Sequence, residues 1–154
     1  MLEWLEGLPH ALVLRHSGTA YLFVSAARIA SIGLLLGSIV ALDLCLLGFA
    51  RVVPLAAAGP YLSRVAVVGL ALAVLTGGWL FSVRASEYAA NPAFLAKLGI
   101  VGAAVLNAAI VHGSGAWRRA LSATSPQPAV RAHAAVSMLL WLAAVVAGRW
   151  IGFL

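Results

Sequence analysis

Apolar positions along this chain neither alternate with polar ones nor trace a single helical stripe. They run together in four long blocks separated by short polar breaks. Blocks of about 20 residues or more match the helix length that crosses a hydrocarbon core of roughly 30 Å. They cover about 21–49, 61–83, 92–112 and 133–153. The blocks are far longer than barrel strands and lack period-two alternation, which excludes a barrel. The pattern predicts an all-α polytopic membrane protein. Its single domain over 1–154 is an up-down bundle of four transmembrane helices.

The breaks have physical causes. Pro54 and Gly59-Pro60 are expected to stop the first helix and restart the second, with Pro60 suited to a first turn. Asn91-Pro92 does the same before the third helix. The longest connection holds Gly113-Ser114-Gly115, Arg118-Arg119 and Ser125-Pro126-Gln127-Pro128, and is expected to face solvent. Residues 1–20 open with Glu3 and Glu6 where a secretory signal would carry positive charge. They read as an uncleaved interfacial segment, with Trp4, Leu5 and Leu8 in the headgroup boundary. Tyr21, Tyr61, Trp79, Tyr88, Trp117 and Trp150 fall near span ends, where amphipathic rings prefer to sit. Trp141 lies mid-span and reads as a packing residue.

Composition agrees with a bilayer as the solvent. The chain is 64% hydrophobic and 9% charged, against about 25% charged in soluble domains. That excludes a cytosolic enzyme, a secreted disulfide scaffold and a disordered regulator. Cys45 is the single cysteine, so no intrachain disulfide and no multi-cysteine metal site can form. The net charge of +6 fits topology and anionic headgroups rather than nucleic acid. Arg51, Arg64, Arg118, Arg119 and Arg131 fall on one side of the membrane; Arg15, Arg84, Lys97 and Arg149 fall on the other. This balance places both termini outside the cytoplasm.

Small residues recur at four-residue spacing: Ala26, Ala30, Gly33 and Gly37 in the first span, Gly69, Ala73 and Gly77 in the second, Ala144 and Gly148 in the fourth. The third is dense in Gly99, Gly102, Ala103, Ala104, Ala108 and Ala109. Such stripes let helix backbones approach closely, either within the bundle or between copies of the chain.

An ionisable residue inside a span costs roughly 2.5–3.5 kcal/mol on insertion scales, so each is a functional candidate. Arg28 lies about two turns into the first span; it either snorkels to the interface or pairs with Glu87. Asp43 lies too deep for its short side chain to reach water easily. It is either neutralised by Arg51, Arg64 or a proton, or serves as a proton- or cation-handling carboxylate. The two positions are about 60° apart around a helix and about 22 Å apart along it, which directs both into the bundle at opposite ends. Lys97 is expected to snorkel, and Asn107 to bond a neighbouring helix. There is no nucleotide loop, no convincing serine–histidine–acid arrangement and no paired carboxylate within a span, so no catalytic activity of its own is expected.

Two resemblances enter here. The stretch from Tyr61 to His112, with Ser63-Arg64, Thr76-Gly77, and Lys97 ahead of an apolar helix ending near Asn107, resembles the membrane domain of copper-resistance protein D relatives. More closely, LEWLEGLP, GSIVALDLCLLG around Asp43, NPAFLAKLG, LNAAIVH and SMLLWLAAVVAGRWIGF resemble a group of short, uncharacterised bacterial four-helix membrane proteins with a domain of unknown function. The resemblance implies a bacterial inner-membrane protein with no established chemistry. In many of these relatives the first helix carries a histidine where Arg28 stands. If that histidine is a haem or metal ligand, this chain has lost it, because arginine cannot coordinate iron in its place.

Three functions remain open. The first is a non-catalytic integral subunit, anchor or assembly factor, with a membrane-protein partner or a homo-oligomer beside the lipid bilayer. The second is a haem- or metal-binding electron-transfer module, since bundles place such sites between facing helices. Haem b or copper would be the cofactor, and His112 with His133, at equivalent ends of successive spans, would be the ligand pair. The third is a small oligomeric proton or cation transporter using Asp43. Should haem b be bound, reduced-minus-oxidised spectra lose the haem signal in His112→Ala; a purified protein without haem absorbance or stoichiometric metal removes the second function.

Overall fold

The computed structural model describes residues 9–49, 53–83, 85–123 and 125–150. All of the regular structure among them is helical. In chain order the helices are α1 (Pro9–His16), α2 (Gly18–Leu47), α3 (Leu55–Val83), α4 (Ala85–Ala90), α5 (Pro92–Gly113), α6 (Gly115–Ser122) and α7 (Pro128–Trp150). Four of them, α2, α3, α5 and α7, are long and apolar enough to cross a membrane. Together they form the expected four-helix bundle.

Local chemistry fixes the helix ends. The Ser17 side chain accepts the Ala20 N–H at 3.2 Å and starts α2. Gly48, at φ 89°, ends it: the Gly48 N–H bonds the Cys45 carbonyl and the Phe49 N–H reaches back to Leu44 at 3.0 Å. That left-handed turn suits glycine and closes two otherwise orphaned carbonyls. Asn91 accepts the Ala93 N–H at 2.9 Å ahead of Pro92, as the Asn-Pro signal predicts for α5.

Two helices begin earlier than the apolar pattern indicates. Pro54 takes over the start of α3, its carbonyl accepting from Ala57 and Ala58, and Pro60 lies inside the helix. A proline this near the N-terminus removes a single ladder bond, so the helix absorbs it. Pro128 likewise opens α7 five residues ahead of His133. The connection after α5 also departs from expectation. Arg118 and Arg119 are exposed, but Trp117 and Ala120 are buried. Their three-residue spacing puts them on one face of α6, which lies across the bundle end. Trp117 is therefore core, not an interfacial ring. Within 1–20, α1 packs against α2 and α3 and buries Leu14. Trp4, Leu5, Leu8 and the side chain of Trp150 lie outside the described residues.

The spans pack in the order α3–α2–α7–α5, each against the next. The outer pair, α3 and α5, scarcely touch along their middles. They meet at one end through the Phe81–Phe94 ring stack at 5.5 Å. At the other they meet through the Ser63–His112 bond at 3.0 Å. Two apolar clusters fill the interior. One, near the α6 end, holds Leu42, Leu46, Val111, Trp117, Ala120, Val130 and Ala134. The other, deeper, is Leu35, Ile39, Ala104 and Trp141.

The small-residue stripes divide. Gly69 is the close approach of α2 and α3: a Cβ there would lie 2.7 Å from the Leu35 backbone nitrogen. Gly33, Gly37, Gly99 and Gly102 have open space where a Cβ would be, and Ala26 and Ala30 are exposed. The first-span stripe thus faces outward, not into the bundle. Gly69→Leu is expected to destabilise the protein by about 1–3 kcal/mol, because backbone cannot yield as a side-chain tip does. Heat denaturation in detergent checks this, with Gly33→Leu expected to leave the transition unchanged.

Candidate functional site

Several polar side chains from different helices meet at the α6 end of the bundle. His133, Ser137 and Trp141 follow one another at four-residue spacing, which places them along one stripe of α7. Each rung has a different neighbour. Ser137 bonds the carboxyl of Asp43, on α2. His133 pairs with Asn107, on α5: the Asn107 Nδ2 donates to the His133 carbonyl at 3.1 Å, and Asn107 Oδ1 lies 2.7 Å from His133 Nδ1. A backbone carbonyl only accepts, so the amide nitrogen must face it. Its oxygen therefore faces Nδ1, which must carry the proton. In the neutral ring this directs the Nε2 lone pair away from the pair.

His112 lies beyond this pair on α5, about 7–8 Å further toward the bundle end at 1.5 Å per residue. Its Nδ1 donates to the Ala108 carbonyl at 2.9 Å, one turn back, which leaves Nε2 as the ring acceptor. Nε2 meets Ser63 Oγ at 3.0 Å, and Ser63 Oγ is also 2.8 Å from the Gly59 carbonyl. The single hydroxyl proton serves either acceptor. The His112 ring lies against Trp117 with centroids 4.2 Å apart. Gly59 makes room for this corner: a Cβ there would come 2.9 Å from Leu121 and 3.3 Å from Trp117.

Asp43 is the most enclosed charged residue described, at 4% exposure. It sits where the two apolar clusters meet, since Leu42 and Leu46 belong to one and Ile39 to the other. Its Oδ2 has no hydrogen-bond donor among the described residues. The Trp141 indole N–H, one turn from Ser137 on the same stripe, likewise has no acceptor. Leaving such groups unmatched in a low-dielectric interior is costly.

Sequence reasoning placed Asp43, Asn107, His112 and His133 inside or at the edge of the bundle, and the structure brings all four to one end. It did not find Ser137, the bonding partner of Asp43, or Ser63, that of His112. Four-residue spacing from His133 was the available signal for Ser137; Ser63 entered only with Arg64 as part of a resemblance, and nothing tied it to His112. Arg64 is exposed, and Arg51 lies outside the described residues. His112 and His133 are not level, as the up-down topology suggested, because α7 begins five residues early and carries His133 deeper. A haem at His112 Nε2 would have to displace Ser63 and find room beside Trp117. Among the described residues no group of three or more histidine, cysteine or acidic side chains is arranged to hold a metal ion. Arg28 and Glu87 belong to the opposite end, where Glu87 is exposed on α4 and the cation beside Arg28 is Lys97.

Comparison with family models, curated proteins and solved structures finds no match to this chain.

Removing either member of the Asn107–His133 pair leaves half-buried polar atoms unmatched. Asn107→Ala and His133→Ala are each expected to lower stability by about 1 kcal/mol, the scale of interhelical hydrogen bonds in membranes. The double variant should fall well short of the sum of the two losses. Denaturation of the four forms in one detergent measures the coupling; strict additivity would mean that the pair does not act as a unit.

Proposed function

We propose that this is a multi-pass protein of the bacterial inner membrane that takes up a proton at Asp43 from one membrane face. It would act as a non-catalytic, proton-handling subunit of a larger membrane complex. The observation that carries the reading is Asp43 itself: a carboxyl group buried between two apolar clusters, held by Ser137 alone, with its second oxygen lacking a donor among the described residues. Among the described residues no cation is paired with it, and a proton satisfies the carboxylate without one.

The approach is one-sided. Three bonded pairs, Asp43–Ser137, Asn107–His133 and Ser63–His112, follow one beyond another toward the α6 end. Hydroxyl, imidazole and amide groups can pass or orient protons, and intramembrane chains of this type mark proton pathways. On the other side of Asp43 lie Leu35, Ile39, Ala104 and Trp141. That packed layer gives a proton no route through a single bundle, which favours a subunit over an autonomous transporter. Leaving aside Arg28 inside its span, Arg51, Arg64, Arg118, Arg119 and Arg131 against Arg15, Arg84, Lys97 and Arg149 favour, by a narrow margin, a cytoplasmic α6 end with the termini outside.

Infrared difference spectra of the protein in liposomes, recorded across a pH series, test the proposal. A protonated-carboxyl band that rises as the pH falls is expected in the wild type and in Glu87→Gln, and lost in Asp43→Asn. His133→Ala should slow the proton exchange of that band without removing it. An identical band in Asp43→Asn and wild type would refute the assignment.

A further inference from the structure

The end of the bundle away from Asp43 carries a second polar arrangement, of opposite charge. Arg28 reaches from α2 across α3: a Cβ built on Gly77 would lie 3.7 Å from its Cζ and Nη1. Lys97 reaches from α5 across α7, where a Cβ on Gly148 would lie 2.9 Å from its Nζ and 3.2 Å from its Cε. Each cation thus lies over a glycine of its neighbouring helix, and all four spans contribute to the arrangement. Both side chains are half-buried. Phe81, one turn beyond Gly77, stacks on Phe94, three residues before Lys97, which sets the two cations at one level of the bundle. Asp43 bonds Ser137 at the other end, and Glu87 is exposed on α4. Two half-buried cations of like sign repel, and independent snorkelling would have carried them apart to water. Their convergence calls for an anion between them.

The surroundings select the kind of anion. On α3, Gly77 is one turn before Phe81; on α5, Lys97 is three residues after Phe94. Phe81 and Phe94 stack at 5.5 Å, and Tyr88 leans on both, with centroids at 6.2 and 5.6 Å. The cation pair therefore lies one turn inside an aromatic clasp that joins α3 to α5. Below the clasp, along the middles of these two helices, contact lapses. The clasp stands on one side of the pair, and the seam between α3 and α5 runs on the other.

We infer that Arg28 and Lys97 bind the phosphate of an anionic phospholipid, whose acyl chains lie along the α3–α5 seam. The arginine supplies a planar donor fork that matches two phosphate oxygens, and the lysine supplies a compact point charge. Basic pockets between transmembrane helices bind lipid headgroups by this chemistry. The site is separate from the proton site and does not depend on it.

The test uses the full-length protein, delipidated in detergent, with phosphatidylglycerol, phosphatidylcholine or inorganic phosphate added and binding read by native mass spectrometry. Wild type should retain phosphatidylglycerol over phosphatidylcholine, with Arg28→Gln and Lys97→Gln each reducing retention about fivefold, the weight of one basic residue against an anionic lipid. Gly148→Ala keeps every charge and favours the helix, yet displaces the ammonium, so it should weaken retention while leaving heat stability intact. Arg131→Gln, at the opposite end, should behave as wild type. Equal retention by wild type and the Arg28/Lys97 double variant would overturn the site. Displacement of phosphatidylglycerol by millimolar inorganic phosphate would keep a phosphate site but overturn its assignment to lipid.

Discussion

Hydrocarbon offers a polar group no partner, and it gives two apolar helices no reason to prefer each other over lipid. Both consequences shape this bundle. Backbone groups are satisfied within helices that are long enough to cross the membrane. Hydroxyls on the helices turn back on their own chain: Ser38 donates to Leu34, Thr76 to Leu72 and Ser82 to Trp79, each at 2.7 Å. Helices then associate where backbones can approach, as at Gly69 against Leu35, or where polar side chains find partners across an interface.

The second route organises the two ends. Helices α3 and α5 pack poorly along their length, so the row of four spans closes only through contacts near its ends. At the α6 end the closure is polar, Ser63 to His112, with Trp117 against the imidazole. At the other it is aromatic, Phe81 on Phe94 with Tyr88 beside them. A seam remains between. The bundle is held most firmly along α2, which packs on both α3 and α7.

A layer of Leu35, Ile39, Ala104 and Trp141 separates an acidic polar layer from a basic one. In a medium of low dielectric, Asp43 and Arg28 would attract strongly if they met. They stand at opposite ends of one helix instead, and each is left to find its partner elsewhere. Asp43 has Ser137 and an unsatisfied oxygen, while Arg28 has another cation. That separation gives the molecule two distinct polar sites rather than one neutral pair.

The number, type and approximate extent of the spans were legible in the sequence, because block length and hydropathy are set by the thickness of the bilayer alone. So were the start of α5 at Asn91-Pro92 and the inward aim of Arg28 and Asp43, which follow from local geometry and helical phase; the stop of α2 was read at Pro54 and Gly59-Pro60, whereas Gly48 ends it. Block hydropathy could not show where α3 and α7 begin, since Pro54 and Pro128 start helices in segments too polar or too short to read as membrane. It could not show that α6 buries Trp117, or which glycine stripes face inward. The glycine pairs Gly33/Gly37 and Gly69/Gly77 are alike as strings, yet only Gly69 and Gly77 face a neighbouring helix. Partner choice was equally hidden: Ser137 for Asp43, Ser63 for His112 and Lys97 beside Arg28 are meetings between helices. The sequence by itself determined which residues must leave lipid, a question answered one helix at a time. Which of them meet depends on the rotation and order of four helices, and the bilayer, equally apolar on every side, leaves that choice to packing.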